Sequence, residues 1–341
     1  MTVSVDLSAL CQRNLELCGV RKGEVVAVLA GKAPTQTAYA EAFTSAARQL
    51  GADTFTLVAD DAPFDGTVGQ TPLAGNTAAI NALKQADLLV DLVFLLFSPE
   101  QIEIQESGTR VLLCVEPPEV LSRMFPTKDL RRRVEKSEEL LGNARELRIT
   151  SETGTDVVYT LGKYTPITEY GYTDTPGRWD HWPAGLVASQ ASEDGVTGTV
   201  VLAPGDIIFP FNSYVTTPIR LDLEDGYITK IGGGLDASLF EDYMSGFSDP
   251  QAFAVSHIGW GLNEKARWSA LHVDSRTIGM DGRSFLGNVM FSTGPNTEFG
   301  GTNNSMCHLD IPMRGACLSL DGRTLIEGGR VVCDELLPRP V

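Results

Sequence analysis

Residues 24–50, EVVAVLAGKAPTQTAYAEAFTSAARQL, decide the fold class. The first part, EVVAVLA, is a nearly unbroken apolar run of strand length, the pattern of a strand buried on both faces. A short turn follows, and through residues 36–50 Ala, Phe and Leu recur at helical spacing up to Gly51, where a left-handed C-cap fits. Strand, turn and helix in that order predict an α/β unit with a parallel sheet. Outward from it, TFTLV (54–58), DLLVDLV (87–93) and RVLLCV (110–115) read as further strands and residues 76–85 as a second helix. Residues 128–147 set RRR against EKSEE at i,i+4 separations, which predicts an exposed helix and not a basic patch.

After about residue 148 the texture changes to short β-branched runs divided by Gly, Pro, Asp and Asn, among them VVYTL, VTGTVVL, DIIFPF, YVTTPIRLDL and YITKI. These are strand and hairpin signals. The expectation is therefore an α/β N-terminal domain over 1–148 and a β-rich α+β C-terminal domain over 149–341.

Charge narrows the function. The 341 residues carry 27 Lys and Arg against 44 Asp and Glu, a net charge of −17, which argues against a nucleic-acid binder because phosphate affinity comes from clustered positive charge. The turn after the first strand, AGKAPTQ, matches neither G-x-G-x-x-G nor G-x-x-x-x-G-K-[ST], so phosphate cradling has no support. Six cysteines without a C-x-x-C pair read as reduced thiols of a cytosolic protein. The N-terminal MTVSVDLSALCQRN lacks the basic and apolar regions of a signal peptide. The most apolar run, residues 86–97, is interrupted by Asp87 and Asp91 and is far shorter than the roughly 20 residues of a spanning helix. No membrane association and a cytoplasmic location are expected.

All four histidines, His181, His257, His272 and His308, lie in the second half. In CHLDIP (307–312), read as a strand, His308 and Asp310 stand at i and i+2 and share a face. Joined by a second imidazole they would form the two-histidine, one-carboxylate set that holds Fe(II) and leaves positions open; a plain His–Asp hydrogen bond explains the pair equally well. The second imidazole is His257, in SHIGWGLN (256–263), whose glycines permit close backbone approach, or His272, in RWSALHVDS with Asp274 two residues on. Local reasoning does not separate them. His181 sits in the aromatic loop WDHWPAG (179–185), twelve residues after Glu169, and reads either as a packed loop or as an acid/base pair. The runs GNVMFSTGPN (287–296) and GGTNN (300–304) offer hydroxyls and amides to a polar substrate, or are merely turns.

On SHIGWGLN, RSFLGNVMFSTGPN (283–296), CHLDIPMRG (307–315) and the HWPAG loop (181–185), the sequence resembles the 2,5-dihydroxypyridine 5,6-dioxygenases, a family similar in fold to the aminopeptidase T metallopeptidases. The likeness covers most of the second domain and is only general over the first. It implies an aminopeptidase T-like fold, Fe(II) held by His257, His308 and Asp310, proton transfer near the substrate by Glu169 and His181, and a substrate contact at Ser292. It further implies a homo-oligomer that cleaves a small aromatic N-heterocycle with O2 to give N-formylmaleamate, in nicotinate-type degradation. Phe97–Ser98 falls where the resemblance places a polar residue near the pocket, a departure that bears on the exact substrate.

The rival readings are a metal-dependent hydrolase related to aminopeptidase T and a catalytically silent binding protein. Two-metal hydrolysis needs enough carboxylates to hold and bridge both ions. Here a histidine stands in SHIGWGLN where the resemblance places a glutamate in the peptidases, so one metal is the better fit.

Overall fold

Helix α1 (Leu7–Leu17) is opened by Asp6, whose carboxylate accepts the Ala9 N–H at 3.0 Å. It leads into β1 (Val25–Ala30) and α2 (Pro34–Gln49), the strand and helix expected at residues 24–50, and Gly51 takes the left-handed φ of +83° at the helix end. Next come β2 (Asp53–Val58), α3 (Thr77–Leu83), β3 (Leu88–Asp91), α4 (Pro99–Glu106), β4 (Arg110–Leu113) and α5 (Pro118–Arg123). The computed structural model describes residues 5–60 and 71–339.

The strands β1 to β4 form a parallel sheet in the order β2-β1-β3-β4, and a fifth strand, β5 (Trp179–His181), adds in parallel to β4 with Leu113 opposite His181. That fifth strand is absent from the sequence expectation because it is three residues long and far from its partner along the chain. Under the sheet Leu29, Leu83, Leu89, Ile104 and Leu113 are fully buried. Each such side chain contributes about 1.5–3 kcal/mol by leaving water, which is why runs like VVAVLA tolerate no polar alternation.

At the end of β3 the Asp91 carboxylate accepts the N–H groups of Val93 at 2.8 Å, Phe94 at 3.0 Å and Leu95 at 2.7 Å. One side chain thereby turns the chain out of the sheet and supplies acceptors to three N–H groups that the sheet does not pair. Phe97 follows with φ of +55° and packs 5.1 Å from the Trp179 ring, and Ser98 caps α4 by accepting the Gln101 N–H at 3.1 Å.

The second compact unit contains α6 (Lys128–Asn143) and two main sheets. The eight-stranded sheet runs in the order Tyr227–Gly233, Ile219–Glu224, Val196–Leu202, Asp156–Thr160, Glu146–Thr150, Cys317–Leu320, Arg323–Glu327 and Arg330–Val331. The other sheet includes four antiparallel neighbours, β6 (Leu186–Gln190), β7 (Val255–Gly261), β8 (Val289–Thr293) and β9 (Leu309–Met313), in the order β9-β8-β7-β6.

Two expectations change. The chain does not divide once at 148/149. One unit holds the residues up to Pro126 together with Glu169–Ala184, and the other holds Thr127–Thr168 together with Gly185–Val341. The strand β5 pairs with β4, and Glu146–Thr150 pairs with Cys317–Leu320, so the chain crosses between units three times. The helix α6 is also not a solvated rod. Arg133, Val134, Ser137 and Leu141 are buried along it, and Arg133 pairs with Asp129 and with Glu264 while donating to the Leu262 carbonyl. Arginine in a run of charges is indistinguishable by sequence from a surface residue, yet its fork suits a buried cluster of carboxylate and carbonyl oxygens.

Candidate metal centre

The strand β7 carries the sequence VSHIGWG deep in its sheet, with every residue buried. Its glycines are required by neighbouring backbone: a Cβ on Gly259 would stand 2.1 Å from the Val187 carbonyl oxygen, and one on Gly261 2.4 Å from that of Phe285. Close approach on both sides fixes the strand, and His257 with it, opposite Gln190 of β6. On the other side Ser292 of β8 donates from Oγ to the His257 carbonyl at 2.7 Å and pairs in register with Asp310 of β9. The row from β6 to β9 thus brings His257 and Asp310 to one place, although 53 positions separate them in the chain.

His257, His308 and Asp310 each offer one ligand atom, and these atoms lie within 4.8 Å of one another. Asp310 Oδ1 is 3.0 Å from His257 Nε2 and 3.3 Å from His308 Nε2. Among the described residues Oδ1 nevertheless has no hydrogen-bond partner, and neither has His308 Nδ1. A buried carboxylate oxygen at this separation without an aligned donor is costly in protein alone and suits a shared cation. Two imidazoles and one carboxylate fit a divalent ion that accepts nitrogen and oxygen together, such as iron or zinc.

The surroundings hold these groups. Arg283 Nε donates to Asp310 Oδ2 at 2.7 Å, and Glu298 Oε1 lies 3.7 Å from His257 Nδ1. Burial alone would lower the His257 imidazole, but the carboxylates of Asp310 and Glu298 outweigh it and push it up to about 9. Burial would raise Asp310, and the charges of His308 and Arg283 with the His257 contact instead hold it well below the usual carboxylate range.

His272 lies on the exposed helix α7 (Ala270–Val273), away from this cluster, and Asp274 pairs with Arg276. His181 and Glu169 come together in the first unit, Nδ1 to Oε2 at 3.8 Å, both largely buried. Between them in sequence Asp180 orders the turn by accepting the N–H groups of Tyr170 at 3.0 Å, Gly171 at 2.7 Å and His181 at 2.8 Å. The indole of Trp182 packs edge-on to Phe43 and Phe125. In the Asn-rich loop, Asn296 accepts the Asn303 N–H at 2.8 Å, so part of its polarity serves the loop itself.

Arg283 and Glu298 are missing from the sequence-derived site. Arg283 opens the RSFLGN stretch that carries the resemblance, but nothing local says that its fork meets Asp310. Glu298 follows the stretch and reaches His257 only because the short helix Thr297–Phe299 returns to β7.

The family model for 2,5-dihydroxypyridine 5,6-dioxygenase matches residues 6–333. A curated 2,5-dihydroxypyridine 5,6-dioxygenase of Pseudomonas putida is 51% identical over 269 residues, covering 78% of this chain and 77% of the relative. A solved 2,5-dihydroxypyridine dioxygenase from Pseudomonas putida superposes with a TM-score of 0.93 at 44% identity, over 97% of this chain and 98% of that one. AmpT from Thermus thermophilus superposes with a TM-score of 0.60 at 13% identity, over 96% of this chain and 98% of its own, which shows a shared fold alone. With the model match spanning nearly the whole chain, this protein belongs to the 2,5-dihydroxypyridine 5,6-dioxygenase family of ring-cleaving dioxygenases.

Proposed function

We propose that His257, His308 and Asp310 hold one Fe(II) and that the chain converts 2,5-dihydroxypyridine and O2 to N-formylmaleamate. The observation that carries the metal reading is Asp310 Oδ1, buried between two imidazole nitrogens without a hydrogen-bond partner. Family membership supports the reaction. Iron, when bound, supplies a centre at which an electron-rich ring and O2 meet. Both oxygen atoms of O2 enter the product as the C5–C6 bond breaks, so no outside reductant is needed. The hydroxyls of the substrate are para to each other and cannot chelate as a catechol does; a two-point contact would use the ring nitrogen and the 2-oxygen.

The protein's own groups do the rest. Arg283 and the β8 register orient Asp310, and Ser292, where the resemblance implies a substrate contact, ties β8 to the His257 backbone. Glu169 and His181 take the proton of a substrate hydroxyl, a role that their mutual approach at 3.8 Å and largely buried setting support. Six free cysteines support a reducing, cytoplasmic setting, and among the described residues no helix is long and apolar enough to cross a membrane. A homo-oligomer is part of the same proposal and is checked by light scattering.

The test is oxygen uptake by protein loaded anaerobically with Fe(II), on addition of 2,5-dihydroxypyridine, with ring absorbance followed in parallel. Stoichiometric uptake with loss of the ring is expected. Bound iron with neither change would overturn the substrate, and absence of bound iron would overturn the centre.

A further inference from the structure

A carboxylate binds a metal through one oxygen or through both, and the choice decides how many positions remain for other ligands. The two oxygens of Asp310 have different surroundings. Its Oδ1 faces the two imidazoles, at 3.0 Å and 3.3 Å, whereas Oδ2 accepts the 2.7 Å hydrogen bond from Arg283 Nε. Such a charge-assisted bond is stronger than one between neutral groups, and here it is shielded from water because both side chains are largely buried.

The guanidinium is itself fixed. Its Nη1 donates to the Ile278 carbonyl at 2.8 Å, and its Cζ lies 4.0 Å over the Phe209 ring. Phe209 is tied back to Asp310, donating its N–H to the Asp310 carbonyl at 2.9 Å and accepting the Asp310 N–H at 3.3 Å. Arg283, Phe209 and Asp310 therefore close a ring of contacts. Gly279, which opens the short helix α8 (Met280–Arg283) at φ of +102°, leaves room for it: a Cβ there would stand 2.2 Å from the Phe209 ring and 2.9 Å from Arg283 Nη1.

We infer that Arg283 is a positioning residue that keeps Asp310 a one-oxygen ligand, so that one more coordination position stays open to substrate or O2. The inference rests on the metal centre proposed above. Turning Oδ2 toward the ion would break the Arg283 bond and strand a cation stacked on Phe209. Without the guanidinium, Asp310 is free to chelate and close that position.

Water-proton relaxation of the Mn(II)-loaded protein tests this, because it counts exchangeable waters on the ion. Arg283→Met, which keeps the bulk and removes charge and donors, is expected to hold one exchangeable water fewer than the unaltered protein. Arg283→Lys, which keeps the charge and one donor for Oδ2, is expected to retain the full number. Gly279→Ala reaches the same contact from the Phe209 side and is expected to lose the water as well, so it carries the comparison if Arg283→Met does not fold. Equal water counts in the unaltered protein and in whichever of these two variants folds overturn the inference while leaving the metal centre intact. Failure of the unaltered protein to bind Mn(II) and Fe(II) alike overturns both.

Discussion

Asp91 and Asp310 are both buried carboxylates at a sheet, one in the parallel sheet of the first unit and one in the antiparallel sheet of the second. Asp91 is surrounded by three backbone N–H groups of its own turn, and both of its oxygens are engaged. Asp310 has one oxygen engaged by Arg283 and one facing two imidazoles without an aligned donor. Burial pushes Asp91 up to about 6 against those three N–H bonds, whereas the cationic neighbours of Asp310 outweigh burial and hold it well below the usual range. The difference teaches that burial of an acid does not mark a functional site. What sets Asp310 apart is an oxygen without an aligned donor that two imidazole nitrogens face.

The comparison is broken most directly at Asp310. Asp310→Ala is expected to lose iron and turnover together, by more than the roughly 10- to 100-fold typical of losing an outer contact to a ligand; metal analysis and oxygen uptake check this, and full iron occupancy would remove Asp310 from the ligand set. A smaller loss is expected for His181→Gln, where turnover falls about a hundredfold with iron retained, as when a general base is removed. Unchanged oxygen uptake there would return His181 to a packing role. In Glu169→Gln the imidazole keeps its place and loses a neighbouring charge, so turnover falls less than in His181→Gln, and an equal loss in the two variants would instead make them one indivisible unit. The smallest effect on turnover belongs to Asp91→Ala. It leaves three N–H groups without their acceptor and costs about 3 kcal/mol of stability by urea unfolding, while metal content and turnover of the folded protein stay unchanged. Iron loss in that variant would dissolve the distinction between the two acids.

The same contrast explains what the sequence disclosed. The parallel strands were legible because burial on both faces demands continuous apolar runs, and α2 because Ala40, Phe43 and Ala47 recur on one side and stop at Gly51. His308 and Asp310 were legible as a pair because their spacing is local. The choice of His257 over His272 came only from the family resemblance and not from local spacing, since it depends on β7 lying beside β8 and β8 beside β9, a register that forms across long stretches of chain. Arg283, Arg133 and β5 were hidden for a related reason. A cation reads as solvent-facing until the fold supplies its oxygens, and a three-residue strand has no periodicity to read.

The return of residues 169–184 to the parallel sheet also has a consequence for synthesis. As the chain leaves the ribosome, β4 has no neighbour on its outer side until His181 has emerged, by which time residues 127–168, which belong to the other unit, are already out. The first half therefore cannot finish folding as an independent N-terminal module, and nascent chains halted anywhere between residues 127 and 178 would expose the open edge of β4 to whatever strand they meet.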